Sequence, residues 1–532
     1  MKTTADVVAE ALKKEGIDYV FGFPGGEVTT LMDAFRRAGI KFILTKHETT
    51  ASFMADAYGE ITGKPGVCLA TVGPGATNML TGVANAYLDR APVIAITGQL
   101  PTDIYETAVH QQLDLKSIYG PVTKWCATIN SENAGSVINK AIHMAKAERP
   151  GPVYIEFPSN VAGQEVKGEV RSAESVKYNL PGIFGSAYQG LNEVVEAVVN
   201  SKSPVILAGL DAVRSPGADR SLVRLAEKLH IPVVVPPKAK GIIPEDHPLF
   251  VGVIEMLGDK VVRDFVHKAD LTINIGYDVT ELDKPWGMSV KTIHISSVPN
   301  TEQFYPAEIE LIGDIKTILD ILIEELPEGT KWDQKQIDET KKELYRLITP
   351  HVEGLTPYRV VEIIREIAPR ETIATADVGA HKFLTGQMWK TYSPKTFFMS
   401  NGLSSMGYSF PAAMAAKLLN PERPVIAFVG DGGLGMYLGE IETAVRCSIP
   451  VILVVLCDKA LSLIKMNQER KGIPAFGTEF TNPDFVKVAE AFGAKGYKVE
   501  TENQVSDAIE EALKSDVITL ISAEVNAQAY RI

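Results

Sequence analysis

Residues Val425–Asp458, VIAFVGDGGLGMYLGEIETAVRCSIPVILVVLCD, decide how this chain is read. An apolar strand runs straight into Gly430-Asp431-Gly432-Gly433, a helical segment follows, and a second apolar strand ends at Asp458. That order is a βαβ unit with a carboxylate on each strand-end loop. Glycines at a strand-to-helix turn let backbone N–H groups approach a diphosphate, and the helix N-terminus favours the anion. Asp431 stands where diphosphate oxygens need a divalent cation. Asp458 leaves the neighbouring strand at the same edge, so both carboxylates can reach one metal, and hard oxygen donors with phosphates suit Mg²⁺. The same letters allow other readings. Gly430, Gly432 and Gly435 also spell GxGxxG, the fingerprint of a nicotinamide or flavin dinucleotide site, with Asp458 near the ribose-binding acid. The third reading is a tight glycine turn with no ligand. Other segments must choose among the three.

Composition removes several classes of partner. The chain has 532 residues, 45% hydrophobic and 22% charged, with no low-complexity tract, enough for three or four domains. Its 53 basic against 66 acidic residues leave a formal charge of −13 with no basic run, which argues against nucleic acid and anionic membrane as partners. The four cysteines form no CxxC, so they read as small apolar residues of a reducing cytosol, with Cys457 as packing at a strand end. MKTTADVVAEALKKEG is an amphipathic helix start capped by Thr3 or Thr4. No apolar stretch approaches the ~18 residues of a membrane span. A cytoplasmic protein is expected.

Residues 1–160 alternate short apolar strands (YVFGF, KFILT, GVCLATV, PVIAIT, PVYIEF) with helical segments such as Thr49–Thr62, the pattern of a parallel sheet covered on both faces. Residues 162–188 read as a linker. A second α/β unit starts at Pro204–Leu210 and continues through IPVVVPP and LTINIGY to about Leu326. The charged helix KWDQKQIDETKKELYRL, a solvated face, bridges to a third unit from about Thr356 to the end. The first and third units share a plan, each with a glycine-rich turn after an apolar strand: GPGATN and GDGG. The expected fold is α/β, three doubly wound parallel-sheet domains.

Glu48 follows the strand KFILT and opens a helix, and such an acid taken alone reads as a helix-start carboxylate favoured by the dipole. The ordered set FGFPGGEV (Phe21–Val28), KHETTASFMADAYG (Lys46–Gly59), TVGPGATN (Thr71–Asn78), SNGLSSMG (Ser400–Gly407) and GDGG goes further. Together these segments resemble the thiamine diphosphate enzymes of the acetolactate synthase family, over essentially the whole chain. The nicotinamide reading explains nothing in the first unit. The resemblance extends to the catabolic, FAD-independent members, which similarly carry Asp at the position of Asp458, a pair like His110-Gln111 and a segment like Glu479–Gly496. It fails at Lys459-Ala460-Leu461-Ser462, which replaces the family's Asn-Gly-Tyr-Asn or similar and bears on the substrate.

The resemblance implies a pyrimidine-binding domain over 1–165, a central domain over 185–326 and a diphosphate- and Mg²⁺-binding domain over 350–532. It implies that Glu48 hydrogen-bonds the pyrimidine ring and drives loss of the thiazolium C2 proton, with Gln111 near the thiazolium. Gln111 read alone is a helix-surface amide. Cofactor contacts are implied for Gly26, Pro74, Asn78, the second diphosphate turn Val378-Gly379-Ala380-His381, the Ser404 carbonyl, a Met406 wedge, and Gly430, Gly432 and Gly433. Read without the family, Met406 is core and His381 a satisfied surface imidazole. Mg²⁺ is implied on Asp431, Asp458 and the Ala460 carbonyl. Lys124, Asn467 and Gln468 match family positions without an assigned role. Simple decarboxylases commonly protonate the decarboxylated unit with paired histidines; Gln111 follows His110 here, which favours carboligation of a 2-oxo acid, and of pyruvate to 2-acetolactate. The resemblance also implies no FAD, a site shared between chains of at least a homodimer with a homotetramer expected, and little C-terminal chain for a lid. The alternatives are another thiamine diphosphate lyase, decarboxylase or acetyltransferase, or a non-catalytic cofactor-binding paralogue.

Overall fold

The described residues form three six-stranded sheets in which every strand pair is parallel. The computed structural model describes residues 2–166, 186–282, 284–301 and 305–530. The linker expected over 162–188 falls mostly outside these, as do position 283 within Ile275–Gly287 and the last two residues of the chain. The first sheet orders its strands Lys41–Leu44, Tyr19–Phe23, Gly66–Ala70, Val93–Gln99, Pro152–Pro158, Cys126–Thr128. The third orders them Phe397–Met399, Ile373–Ala376, Val425–Gly430, Ile452–Cys457, Thr519–Glu524, Lys495–Val499. In chain rank both run 2-1-3-4-6-5, so the shared plan seen in the sequence is one topology used twice. The central sheet runs Ile309–Ile312, Lys291–Ser296, Leu271–Ile275, Pro204–Ala208, Val233–Val235, Phe250–Val253, or 6-5-4-1-2-3 in rank, the dinucleotide-fold order. In such sheets the ligand crevice lies beyond the strand carboxyl ends where the order reverses. In the two outer sheets that reversal falls beside GPGATN and GDGG.

The strands read as unbroken apolar runs because both sheet faces are covered; Val425–Gly430 and Ile452–Cys457 are buried at every position. The first helix, Thr4–Lys14, starts on a capping box in which the Thr3 side chain accepts from Asp6 N and the Asp6 carboxylate accepts from Thr3 N. The bridging segment is the helix Gln334–Ile348. Cys457 ends its strand buried, with its thiol pushed up to about 12 by burial, as packing rather than a reactive thiol. Among the described residues no helix is long and apolar enough to cross a membrane.

The outer domains share one core. Phe53, Met54 and Tyr58 of helix Glu48–Thr62 pack in the same cluster as Tyr408, Phe410 and Met414 from helix Ser409–Leu419 and the residue before it. All three domains meet at a buried charge cluster. Lys238 of the central domain hydrogen-bonds Glu60 and lies 3.3 Å from Asp89. Asn85 donates to Asp56 and Asp89, and Asp89 accepts from the backbone N–H groups of Asn401 and Gly402 in the third domain. Burial, then the neighbouring Glu60 and Asp89, pushes the Asp56 carboxyl well above its ordinary 3.8. Because the folded-state value is raised, stability falls as pH rises from the ordinary Asp range through that value. Asp56→Asn is therefore expected to melt higher than wild type at neutral pH, the gain vanishing below about pH 4. Lys238→Met leaves two buried carboxylates without a counter-charge and should cost about 3–5 kcal/mol. Thermal melts of both variants across pH check the pair.

Candidate active site

The candidate residues sort into two groups, one on each outer sheet. In the third domain Asp431 begins the helix Asp431–Tyr437 directly after its strand, and Asp458 follows the adjacent strand. The Asp431 carboxylate accepts from Gly432 N at 2.9 Å, Asp458 N at 3.0 Å, Lys459 N at 2.7 Å and Asn482 Nδ2 at 2.8 Å. Asp458 accepts from Ala460 N at 3.2 Å and Ser462 Oγ at 2.6 Å. Burial pushes the Asp458 carboxyl up to about 6; the Ser462 bond opposes this and the Asp431 charge adds to it. Two carboxylates held together at repulsive cost are the donor set a hard divalent cation relieves, so the residues fit Mg²⁺. Among the described residues no cluster of three or more His, Cys, Asp or Glu offers an all-side-chain alternative.

The turn geometry separates the glycine readings. A Cβ on Gly430 would stand 2.7 Å from His381 Cε1, and one on Gly379 the same distance from that atom. Gly379 has φ 151 and ψ −172, a conformation essentially reserved for glycine. Both strand-end turns thus close over one imidazole. His381 is buried, not a surface residue; its Nε2 has no hydrogen-bond partner, and burial alone lowers it to about 4, so the ring is neutral. Gly435, by contrast, faces open space. A dinucleotide fingerprint needs its third glycine for close helix–strand packing, and that need is missing here. The turn Val378-Gly379-Ala380 lies against Gly430 through His381, while Asp377, immediately before it, is buried with its carboxyl pushed up to about 6 and accepts from the N–H groups of Gly407 and Tyr408. Gly433 packs on that carboxylate. The Asp377 bonds hold the Met406 loop against the turn, and a Cβ on Gly432 would meet Phe480, Leu461 and Met406 at 3.3, 3.4 and 3.6 Å. Ser404 is left-handed, φ 53, with its hydroxyl between Lys382 Nζ and Asn401 O, so its carbonyl is set by backbone strain rather than side-chain choice.

In the first domain Glu48 is the first residue of Glu48–Thr62, 7% exposed, and its Oε2 accepts from Asn78 Nδ2 at 3.0 Å. Pro74 opens the helix Pro74–Leu88, which places Asn78 one turn in. Gln111 is not on a helix: it sits in a turn at φ 58 with its Cβ and Cγ against Gly73. Gly26 has open space around its Cα. Lys124 is tied to the Ala147 carbonyl and Gln468 to both backbone groups of Phe476, so neither side chain is free. Asn482, Ser462, Asp377 and Glu440 are residues to which the sequence pattern assigns no role, Ser462 standing out only within the Lys459–Ser462 departure. Glu440 accepts from Lys46 N and His47 N, fixing the start of the Glu48 helix from the third domain. The acid directly before the VGAH turn and the four-residue step from Asp458 to Ser462 are the local signals for Asp377 and Ser462, and Asn482 and Glu440 have none.

Two outer sheets of equal topology, each with a glycine turn and an acid at its strand ends, define a thiamine diphosphate enzyme of three α/β domains. The family models described as thiamine pyrophosphate enzyme N-terminal TPP binding domain, central domain and C-terminal TPP binding domain match residues 2–118, 191–322 and 377–523. The probable acetolactate synthase large subunit of Methanocaldococcus jannaschii is 34% identical over 96% of this chain and 90% of its own length. Acetolactate synthase of Bacillus subtilis is 29% identical, covering 98% and 93%, and the catabolic acetolactate synthase of Raoultella terrigena is 29% identical, covering 98% and 95%. The chain belongs to the acetolactate synthase family of thiamine diphosphate enzymes.

The Gly430 and Gly435 contrast tests whether this turn holds a diphosphate. Gly430→Ala should lose thiamine diphosphate affinity in calorimetric titration, because the new methyl collides with His381. Gly435→Ala should bind as wild type, since its methyl enters open space.

Proposed function

We propose that the protein decarboxylates pyruvate and ligates the two-carbon unit to a second pyruvate, giving 2-acetolactate, with thiamine diphosphate and Mg²⁺ and without FAD. The observation that carries the reaction type is the side chain packed against the Gly73-Pro74 turn: it is Gln111, an amide with no proton to give near neutral pH, while His110 is exposed. When bound, thiamine diphosphate supplies the carbanion chemistry at its thiazolium C2. Glu48, held by Asn78 in a buried position, would bind the pyrimidine ring nitrogen and handle its proton. Asp431, Asp458 and the Ala460 carbonyl would hold Mg²⁺, and the Gly430–Gly433 and Val378–Ala380 turns would take the diphosphate. Met406, Leu461 and Phe480 would keep water from that end of the site. Another thiamine diphosphate lyase or acetyltransferase is the second reading, favoured by the Lys459–Ser462 departure alone.

Freedom from FAD is supported by the central domain. At its strand-order reversal the Glu281 carboxylate accepts from Leu210 N at 2.9 Å and Asp278 N at 3.0 Å, at the start of helix Leu210–Arg214. This is where a dinucleotide diphosphate sits in such a fold. Glu281 is fully buried, burial holds its carboxyl well above the ordinary range, and a Cβ on Gly209 would collide with Tyr277 Cα at 2.4 Å. The crevice is filled by the chain's own acid. A shared site is supported by apolar side chains left exposed around both half-sites, among them Phe23, Val109, Met436 and Phe476, the second 90% and the last 85% exposed. A second copy covering these faces gives a homodimer, with a homotetramer and a cytoplasmic location as the rest of the reading.

Pyruvate supplied to the Mg²⁺- and thiamine diphosphate-loaded protein should yield CO2 and acetolactate; acetaldehyde without acetolactate would sink the ligase reading. Glu48→Gln should slow exchange of the C2 proton of bound cofactor by roughly 10²–10⁴-fold. Mixing inactive Glu48→Gln and Asp431→Asn chains should restore activity, because a hybrid dimer rebuilds one intact site. Purified protein should show no flavin absorbance.

A further inference from the structure

The first-domain acid Glu48 is set in place by the third domain. Helix Glu440–Arg446 follows the helix that Asp431 begins, and it grips the turn between strand Lys41–Leu44 and helix Glu48–Thr62. Arg446 Nη2 donates to the Leu44 carbonyl, and the Lys46 ammonium lies 2.8 Å from Glu442. Glu440 reaches further in. It is 1% exposed, and its carboxylate accepts from Lys46 N at 3.0 Å, His47 N at 3.1 Å and Thr443 Oγ1 at 2.7 Å. Both backbone N–H groups point at the same oxygen, Oε1, while Oε2 takes the threonine hydroxyl. What the turn requires is therefore one well-placed oxygen with two lone pairs, which an amide also offers.

The grip is passed on to the Glu48 side chain. His47 is the N-cap of helix Glu48–Thr62: it is extended at φ −142 and ψ 143, and its Nδ1 accepts from Thr49 N at 3.1 Å. Tyr437, at the end of the Asp431 helix, meets the His47 ring edge-on with ring centres 6.4 Å apart. Thr49 Oγ1 donates to the Asn78 carbonyl at 2.6 Å, and Asn78 Nδ2 donates to Glu48 Oε2 at 3.0 Å. The contacts thus run without a break from Glu440 through the backbone of Lys46 and His47, the cap, Thr49 and Asn78 to the Glu48 carboxylate. Glu48 is the first residue of its helix, so no preceding turn holds its backbone N–H, and its direction follows the angle at which the chain enters.

We infer that Glu440 and His47 are positioning residues for Glu48: they fix the entry of its helix, and with it the aim of the carboxyl group that handles the cofactor's proton. The inference rests on the reading of Glu48 under Proposed function. The readout is exchange of the C2 proton of bound cofactor at saturating thiamine diphosphate, followed by deuterium incorporation. Glu440→Ala should slow it roughly ten- to a hundredfold, the cost of a small misplacement of a reacting group. Glu440→Gln should restore most of the rate, because the amide oxygen takes both N–H groups and the NH2 turns to the Thr443 oxygen. Cofactor affinity by calorimetry should stay near wild type in both, since the bonds of Glu440 go to Lys46, His47 and Thr443, outside the diphosphate turns. In cofactor-free protein the Lys46 and His47 amides should exchange faster in Glu440→Ala than in Glu440→Gln. In a Glu48→Ala background Glu440→Ala should slow C2 exchange no further, because nothing is left to position. Should Glu440→Ala fail to fold, the exposed His47 carries the test: His47→Ala slows exchange and His47→Asn, a good N-cap, restores it. Wild-type C2 exchange in Glu440→Ala, or in His47→Ala where that variant stands in, overturns the inference. So does a Glu440→Gln rate no better than that of Glu440→Ala, or equal slowing without Glu48. Wild-type exchange in Glu48→Ala alone would instead remove the reading of Glu48 itself.

Discussion

The helix Glu48–Thr62 is the constraint on which the rest of this molecule rests. Every residue from Glu48 to Gly59 is buried, because the helix lies between its own sheet and helix Ser409–Leu419 of the third domain. A helix covered on all sides must neutralise each polar group it carries. Glu48, Ser52, Asp56 and Glu60 fall at four-residue steps along one stripe. Asn78 meets the first, the backbone carbonyls of Glu48 and Thr49 the second, Asn85 the third and Lys238 the fourth. The partners come from two domains, so placing Glu48 and locking the domains together are one structural act.

That stripe also marks where the sequence stops being legible. Apolar runs, glycine turns and their order were enough to read a parallel α/β chain with two like outer domains, and the strands at Val425–Gly430 and Ile452–Cys457 lie where the pattern puts them. Acids at helical spacing, however, read as a solvated face, and nothing near them in the chain says otherwise. Lys238 stands 178 positions from Glu60, and only the fold brings them together. Asn482 is 51 positions from Asp431, and Glu440 is 394 from Lys46. Local chemistry was readable, and long-range satisfaction of buried charge was not. The plain reading of Gln111 as a helix-surface amide fails for a related reason: the residue sits in a left-handed turn against Gly73, which no local propensity encodes.

The strand-order reversals of the third and the central domain end in opposite ways, and charge explains both. In the third domain the strand-end acids Asp431 and Asp458 sit side by side, a repulsion of the kind a cation relieves. In the central domain one acid, Glu281, turns back onto the backbone N–H groups that a diphosphate would need. The same doubly wound architecture thereby carries an uncompensated acid pair at one reversal and a self-satisfied acid at another.

The departure from the family at Lys459-Ala460-Leu461-Ser462 gains meaning from the same accounting of contacts. Lys459, left-handed at φ 60, gives its N–H to Asp431 and has its ammonium 3.6 Å from Glu524. Ala460 gives its N–H to Asp458, and Ser462 spends its hydroxyl on the same carboxylate. Three of the four substituted positions therefore serve the acid pair, and a serine there does the work of an uncharged donor to Asp458. Leu461 alone turns its side chain toward the Gly432 turn, beside Met406 and Phe480. Of the four side chains only that of Ser462 is spent on the acid pair, since Lys459 and Ala460 reach it through backbone N–H groups, so an effect of this segment on substrate preference would run through the bulk of Leu461 or the charge of Lys459.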